Sequence, residues 1–111
     1  FTESQQIISV GGTNANPVKF QKSGSGANPL FIGTNGTSNT DACFKISGAD
    51  YLTIDGIDVT TVVGSANYIQ QAEYGFYITN QSSTNGTNHV TIKNCKVSLD
   101  RTNSGSVGVF Q

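Results

Sequence analysis

The sequence has 111 residues, 35% hydrophobic and 12% charged, with a net charge of −1 and a pI near 5.6. That length supports one domain with one modest core, and six Lys+Arg cannot build the basic surface that phosphate neutralisation demands, which excludes nucleic acid as a partner. No apolar run approaches a bilayer span, and 13 Gly, 6 Phe and 4 Tyr at so low a charge point to a turn-rich β protein rather than to disorder.

The first alternating segment, 6–10, carries Ile8 and Val10 on one face. A Gly- and Asn-rich turn closes at Pro17, and a second strand, 18–21, follows with Val18 and Phe20 inward. After the turn 24–29 a third strand, 30–33, has Leu30 and Ile32 inward and Phe31 outward. Both prolines precede strands, where a missing amide does least harm. Residues 43–47 then repeat the first strand, with Phe44 and Ile46 inward and Cys43 outward or at the strand edge. Residues 51–55 repeat the second (Leu52, Ile54 inward) and 57–61 the third (Ile57, Val59 inward). The stretch 63–73 interrupts the pattern, and 65–72 within it is expected to form one or two helical turns as a lateral excursion. Another copy follows as 75–79 (Phe76, Ile78), 89–93 (Val90, Ile92) and 95–99 (Cys95, Val97), and 106–110 (Val107, Val109) begins a fourth.

The copies agree in detail. Tyr51-Leu52-Thr53-Ile54-Asp55-Gly56-Ile57-Asp58-Val59 matches His89-Val90-Thr91-Ile92-Lys93-Asn94-Cys95-Lys96-Val97, and Phe44-Lys45-Ile46-Ser47 matches Phe76-Tyr77-Ile78-Thr79. Second and third strands are separated by one residue, Gly56 or Asn94, with apolar residues on both flanks. One left-handed residue makes such a bend, and Gly and Asn suit it best. It turns a corner without reversing the chain, so like strands recur parallel to their copies rather than as hairpins. The expectation is an all-β fold, a right-handed parallel β-helix solenoid of about three coils (6–41, 42–73, 74–105) and the start of a fourth (106–111), in a single domain 1–111. Ladders of Ile46 with Ile78, Leu52 with Val90 and Val59 with Val97 follow from it.

On this winding, the outward residues of the first ladder are Ser9, Lys45, Tyr77 and Gly108, with no carboxylate pair among them. Asp55 falls beside Lys93, and Asp58 beside Lys96, on adjacent coils. These are cross-strand ion pairs worth about 0.2–1 kcal/mol each, or else a catalytic or Ca²⁺-binding patch. Glycosidic chemistry needs two carboxylates facing one substrate about 5–9.5 Å apart; Asp55 and Asp58 flank a corner and diverge, which favours the ion pairs. His89, the single histidine, points outward without a Ser or Cys partner and reads as a surface residue. Cys95 faces inward as a small hydrophobe, and its ladder and orientation differ from those of Cys43, so no disulfide is expected. There is no CxxC, HxxxH or EF-hand loop, so neither metal nor cofactor is expected. Tyr51, Tyr68, Tyr74 and Tyr77, with Phe31, offer ring faces to sugars; Tyr51 and Tyr77 are the candidate carbohydrate contacts. Sequons at Asn35, Asn80 and Asn85 mark surface loops.

The motif Leu52-Thr53-Ile54-Asp55-Gly56-Ile57-Asp58-Val59 and its copy resemble the coil signature of pectate-lyase-like right-handed parallel β-helices. In that family an Asn at the short bend stacks with its equivalents, a position that Asn94 matches and Gly56 occupies one coil earlier. Asn16-Pro17-Val18-Lys19-Phe20 followed by Gly48-Ala49-Asp50-Tyr51-Leu52-Thr53-Ile54-Asp55-Gly56 is similar to repeats in large secreted surface proteins of Bacteroidetes-type bacteria. The resemblance spans roughly residues 6–110 and implies fold more than activity, since this fold hosts lyases, hydrolases, adhesins and stalks alike. The chain opens on Phe1 and stops inside a fourth strand copy with no polar cap, as a segment of a longer solenoid would. The function expected is a non-catalytic structural or adhesive module, extracellular or at the cell surface. Its expected partners are flanking coils of the same polypeptide or stacked copies of itself, with extracellular polysaccharide as a further candidate. The alternatives are a fragment of a polysaccharide lyase or hydrolase with its catalytic coils elsewhere, and a carbohydrate-binding β-helix.

Overall fold

The computed structural model describes residues 2–34, 36–62 and 71–111, and within them eleven strands form three parallel sheets. The first sheet joins β2 (Gln6–Ile8), β5 (Ala42–Ser47), β8 (Tyr74–Thr79) and β11 (Val107–Phe110). The second joins β3 (Val18–Gln21), β6 (Leu52–Asp55) and β9 (Thr91–Lys93). The third joins β1 (Thr2–Glu3), β4 (Leu30–Gly33), β7 (Asp58–Thr61) and β10 (Val97–Ser98). In chain order the backbone visits the third, first and second sheets and then begins again. The result is an all-β parallel solenoid.

Register follows side-chain likeness. Phe44 pairs with Phe76 and Ile46 with Ile78; Ile54 pairs with Ile92, and Val59 with Val97. The Phe44 and Phe76 rings stack at 5.6 Å and 12°. Ile46, Leu52, Ile54, Val59 and Phe76 are buried, and full burial of side chains this size contributes about 1.5–3 kcal/mol each. Because strand side chains alternate faces, a slip of one residue would turn this whole set outward.

The expected corner residues adopt the left-handed region, Gly56 at φ 71° and Asn94 at φ 55°. A second pair of left-handed residues turns the corner into the second sheet: Tyr51 at φ 49° and His89 at φ 55°. Such backbones cost non-glycine residues about 1–2 kcal/mol. Here the two rings stack across coils at 4.2 Å and 5°, a contact that offsets part of that cost. His89 is thus exposed, as expected, but packed on one face rather than free.

Three expectations need correction. Leu30 and Ile32 do not lead the inward face of β4: Phe31 is buried and pairs with Val59, while Leu30 is exposed. The first coil has no one-residue bend here; residues 22–29 form a longer connection, and Pro29 takes the slot of Ile57, shifting the face by one. Cys43 is not outward either. It is fully buried, with Sγ 3.6 Å from the Thr60 carbonyl. One coil on, a Cβ on Gly75 would meet Val97 Cγ1 and Val59 Cγ2, so Cys43 and Gly75 both point inward beside the inward Phe44 and Phe76. Alternation resets at that point. The register of the first sheet also differs: Ile7 and Phe110, rather than Ser9 and Gly108, stand beside Lys45 and Tyr77. The helical turns expected at 65–72 fall, apart from Gln71 and Ala72, outside the described residues.

Candidate functional site

Four regions gather chemistry. The first is the polar seam at the Gly56/Asn94 corner. Asp55 is met by Lys19 Nζ at 3.2 Å, Lys93 Nζ at 3.5 Å and Asn94 Nδ2 at 2.8 Å, so one carboxylate ties three successive coils. Asn28 donates from Nδ2 both to Asp58 Oδ1 at 2.7 Å and to the Asn94 carbonyl at 2.8 Å. It passes over Gly56, where an added Cβ would lie 3.2 Å from Asn28 Oδ1. The expected Asp58–Lys96 ion pair is replaced: Asp58 Oδ1 accepts the backbone amide of Lys96 at 2.8 Å. Both carboxyls are held below the usual range, Asp55 chiefly by Asn94 and Lys19, Asp58 chiefly by Asn28 and the Lys96 amide. Each carboxylate is held by its own donors within the stack, which suits register-setting.

A second polar group, not foreseen from sequence, lies at the corner between the third and first sheets. Glu73 is buried and accepts the Asp41 amide (3.2 Å) and Asn103 Nδ2 (3.5 Å). Gln71 Nε2 donates to Asp100 Oδ2 at 3.2 Å, and Asp100 Oδ1 accepts the amide and hydroxyl of Thr102. Burial pushes the Glu73 carboxyl up, while the Thr102 donors hold the Asp100 carboxyl down. Asp41 fastens the preceding turn by accepting the amides of Thr37 and Ser38 at 2.6 and 2.7 Å. These groups bind one another's loops. Among the described residues no group of three or more His, Cys, Asp and Glu side chains is placed to hold a metal ion.

The outer face of the first sheet is aromatic. Tyr74, Tyr77 and Phe110 lie with ring centroids 5.1–5.4 Å apart, and Lys45 Nζ sits 5.6 Å from the Tyr77 centroid, with Ile7 exposed next in the row. Tyr51 belongs elsewhere, at the corner with His89, so the two candidate carbohydrate contacts lie on different surfaces. Phe31 is interior, and Tyr68 lies outside the described residues. Sequence reading missed Phe110, which pairs with Tyr77 where Gly108 was expected.

The ends of the stack are the fourth region. At one end a cavity of about 610 Å³ is lined by Ile8, Phe20, Phe31, Phe44, Ile54 and Ile57, among others. At the other, about 380 Å³ is lined by Ile78, Val90, Ile92, Cys95, Val97 and Val109 with Lys93 and Asn94. Both are cross-sections of the same apolar core. Both cysteines are free, and burial pushes the Cys43 thiol up to about 11, so it stays protonated and unreactive. No helix among the described residues is long and apolar enough to cross a membrane. In comparisons with known proteins, no family model, no curated protein and no solved structure matches this chain.

Proposed function

We propose that the chain is a non-catalytic structural or adhesive module of a secreted or cell-surface protein, docked through its ends to further coils. The observation that carries this is the pair of open apolar end faces, each bordered by edge strands of parallel sheets. An apolar cross-section and unpaired strand edges are costly in water, and a further coil of the same winding removes both. That coil comes from the same polypeptide or from another copy. The contacts of Asp55 and Asp58 with residues of neighbouring coils support the non-catalytic part of the reading. The likeness to pectate-lyase-like β-helices and to secreted surface proteins of Bacteroidetes-type bacteria supports a location outside the cell. Sedimentation and electron microscopy on the 111-residue chain test it: stacked oligomers or short filaments are expected. A stable monomer across the concentration range, with no exposed-core signature in dye binding, counts against end docking.

A second reading is favoured by the aromatic face of the first sheet. Rings and a cation on an exposed strand face suit contact with sugar rings. Glycan-array retention abolished by Tyr77→Ala but not by Tyr51→Ala would place carbohydrate there; no retention by the parent chain would remove the reading.

A further inference from the structure

The outer faces of the first and second sheets differ. The second turns Lys19, Gln21, Thr53, Asp55, Thr91 and Lys93 outward, a polar face suited to water. The first presents one in-register row across all four of its strands: Ile7, Lys45, Tyr77 and Phe110. Ile7 is 66% exposed, and Tyr74 stacks on Tyr77 beside the row. Since Phe44, Ile46, Phe76 and Ile78 fill the inner side, this sheet is largely apolar on both faces, the pattern of a parallel sheet that is covered on both. Further coils at either end would lengthen the row without covering it, so the row belongs to the flank of the solenoid and not to its ends.

The order within the row matters. Lys45 carries its only charge and forms no ion pair among the described residues; its Nζ lies 5.6 Å from the Tyr77 centroid on the next coil. A two-fold axis lying along the strands between β5 and β8 reverses the order of coils in a second copy. Lys45 then faces the partner's Tyr77, and Tyr77 faces the partner's Lys45. Both cations meet a ring, the two ammonium groups stay one coil apart, and Ile7 faces the partner's Phe110. A two-fold along the solenoid axis would instead set Lys45 against its own copy, which like charge disfavours. We infer that the outer face of the first sheet is a self-complementary contact between two copies of this chain, side by side with opposed solenoid axes. This goes beyond docking through the ends, because it uses the flank and leaves both end faces open. Sugar stacking asks only for the ring; the reciprocal order of cation and ring is what a second copy uses. The face measures about 400 Å² per copy, small for a specific interface, so the dimer is weak and reversible.

The test is sedimentation equilibrium on the 111-residue chain up to about 1 mM, with circular dichroism confirming that each variant keeps the parent's β signal. The parent should show a reversible monomer–dimer step. Tyr77→Lys sets a lysine against the partner's Lys45, and Lys45→Glu sets a carboxylate against a ring face; each should weaken the dimer about tenfold or more. An equimolar mixture of the two variants should recover it, because one native pair and one Lys–Glu pair then form across the two-fold. Ile7→Ser, at a largely exposed side chain, should also weaken the dimer and serves if Tyr77→Lys does not fold. A parent that stays monomeric overturns the inference; if that monomer is retained on glycans through Tyr77, the face belongs to sugar. Oligomers that ignore all three substitutions overturn it too and leave the ends as the source of association. A mixture no more associated than its two components overturns the two-fold arrangement.

Discussion

Phe20, Ile54 and Ile92 stand in one row across the second sheet, yet Ile54 is 1% exposed and Phe20 42%. Phe76 and Val109 share a row of the first sheet, at 0% and 50%. The central and end coils obey one apolar–polar alternation and reach opposite burial. Alternation decides which way a side chain points; only a neighbouring coil decides whether it leaves water. Stability in such a stack therefore resides in the interfaces between coils, and the ends hold unspent apolar surface. The proposed function is a direct consequence of that asymmetry.

The sharpest way to break the comparison is to truncate both members of a row. Phe76→Ala should lose about 3–5 kcal/mol in urea unfolding, as core Phe truncations do, whereas Val109→Ala should cost under about 1 kcal/mol. Equal losses would mean that the ends are already covered. Next in size is Gly75→Ala, whose Cβ would lie 2.6 Å from Val97 Cγ1 and 2.7 Å from the Gly108 carbonyl. Overpacking there should cost about 1–3 kcal/mol, while Gly26→Ala, with nothing within 4 Å, should stay within about 0.5 kcal/mol.

Smaller effects follow from charge. Burial raises the pKa of the Glu73 carboxyl in the folded chain above its ordinary value of 4.5, so its ionised form penalises the fold at neutral pH, and the penalty fades as pH falls through that range. Asp55, Asp58 and Asp100 lie below 3.8 when folded; the stability they add is complete above 3.8 and is lost as pH falls through their folded values. The urea midpoint should thus hold or rise slightly from pH 7 to about 5 and fall below about 3.9. Glu73→Gln should remove the rise and keep the acid loss; an unchanged profile would show that Glu73 is solvated. Least perturbing is thiol labelling. Native iodoacetamide treatment should modify Cys95, half-buried at an end, before Cys43, which should react only on unfolding. Prompt modification of both would contradict the buried placement of Cys43.

The fold was legible wherever a short bend kept strands in phase. Gly56 and Asn94 sit between matched strands, and from them the second and third ladders, their parallel sense and the Ile54–Ile92 and Val59–Val97 pairs could be read. The face of β4 could not, because a connection of several residues separates it from β3 and carries no register information. The candidate surfaces were half legible. Asp55 with Lys93 was visible as a cross-strand pair, but the amide donors that hold Asp58 and Glu73 come from residues 30 or more positions away, or from the backbone, and leave no local pattern.

By itself, then, the order of residues determined the parallel winding and the Ile54–Ile92 and Val59–Val97 rows, because side-chain period and a left-handed bend are local properties of the chain. Tertiary structure alone decided that Phe31 rather than Leu30 enters the core, that Cys43 is interior, and that Tyr77 gathers Tyr74 and Phe110. Each of these depends on the offset between coils, which is set where loops of unequal length return the backbone to the stack, and no local interaction specifies that distance.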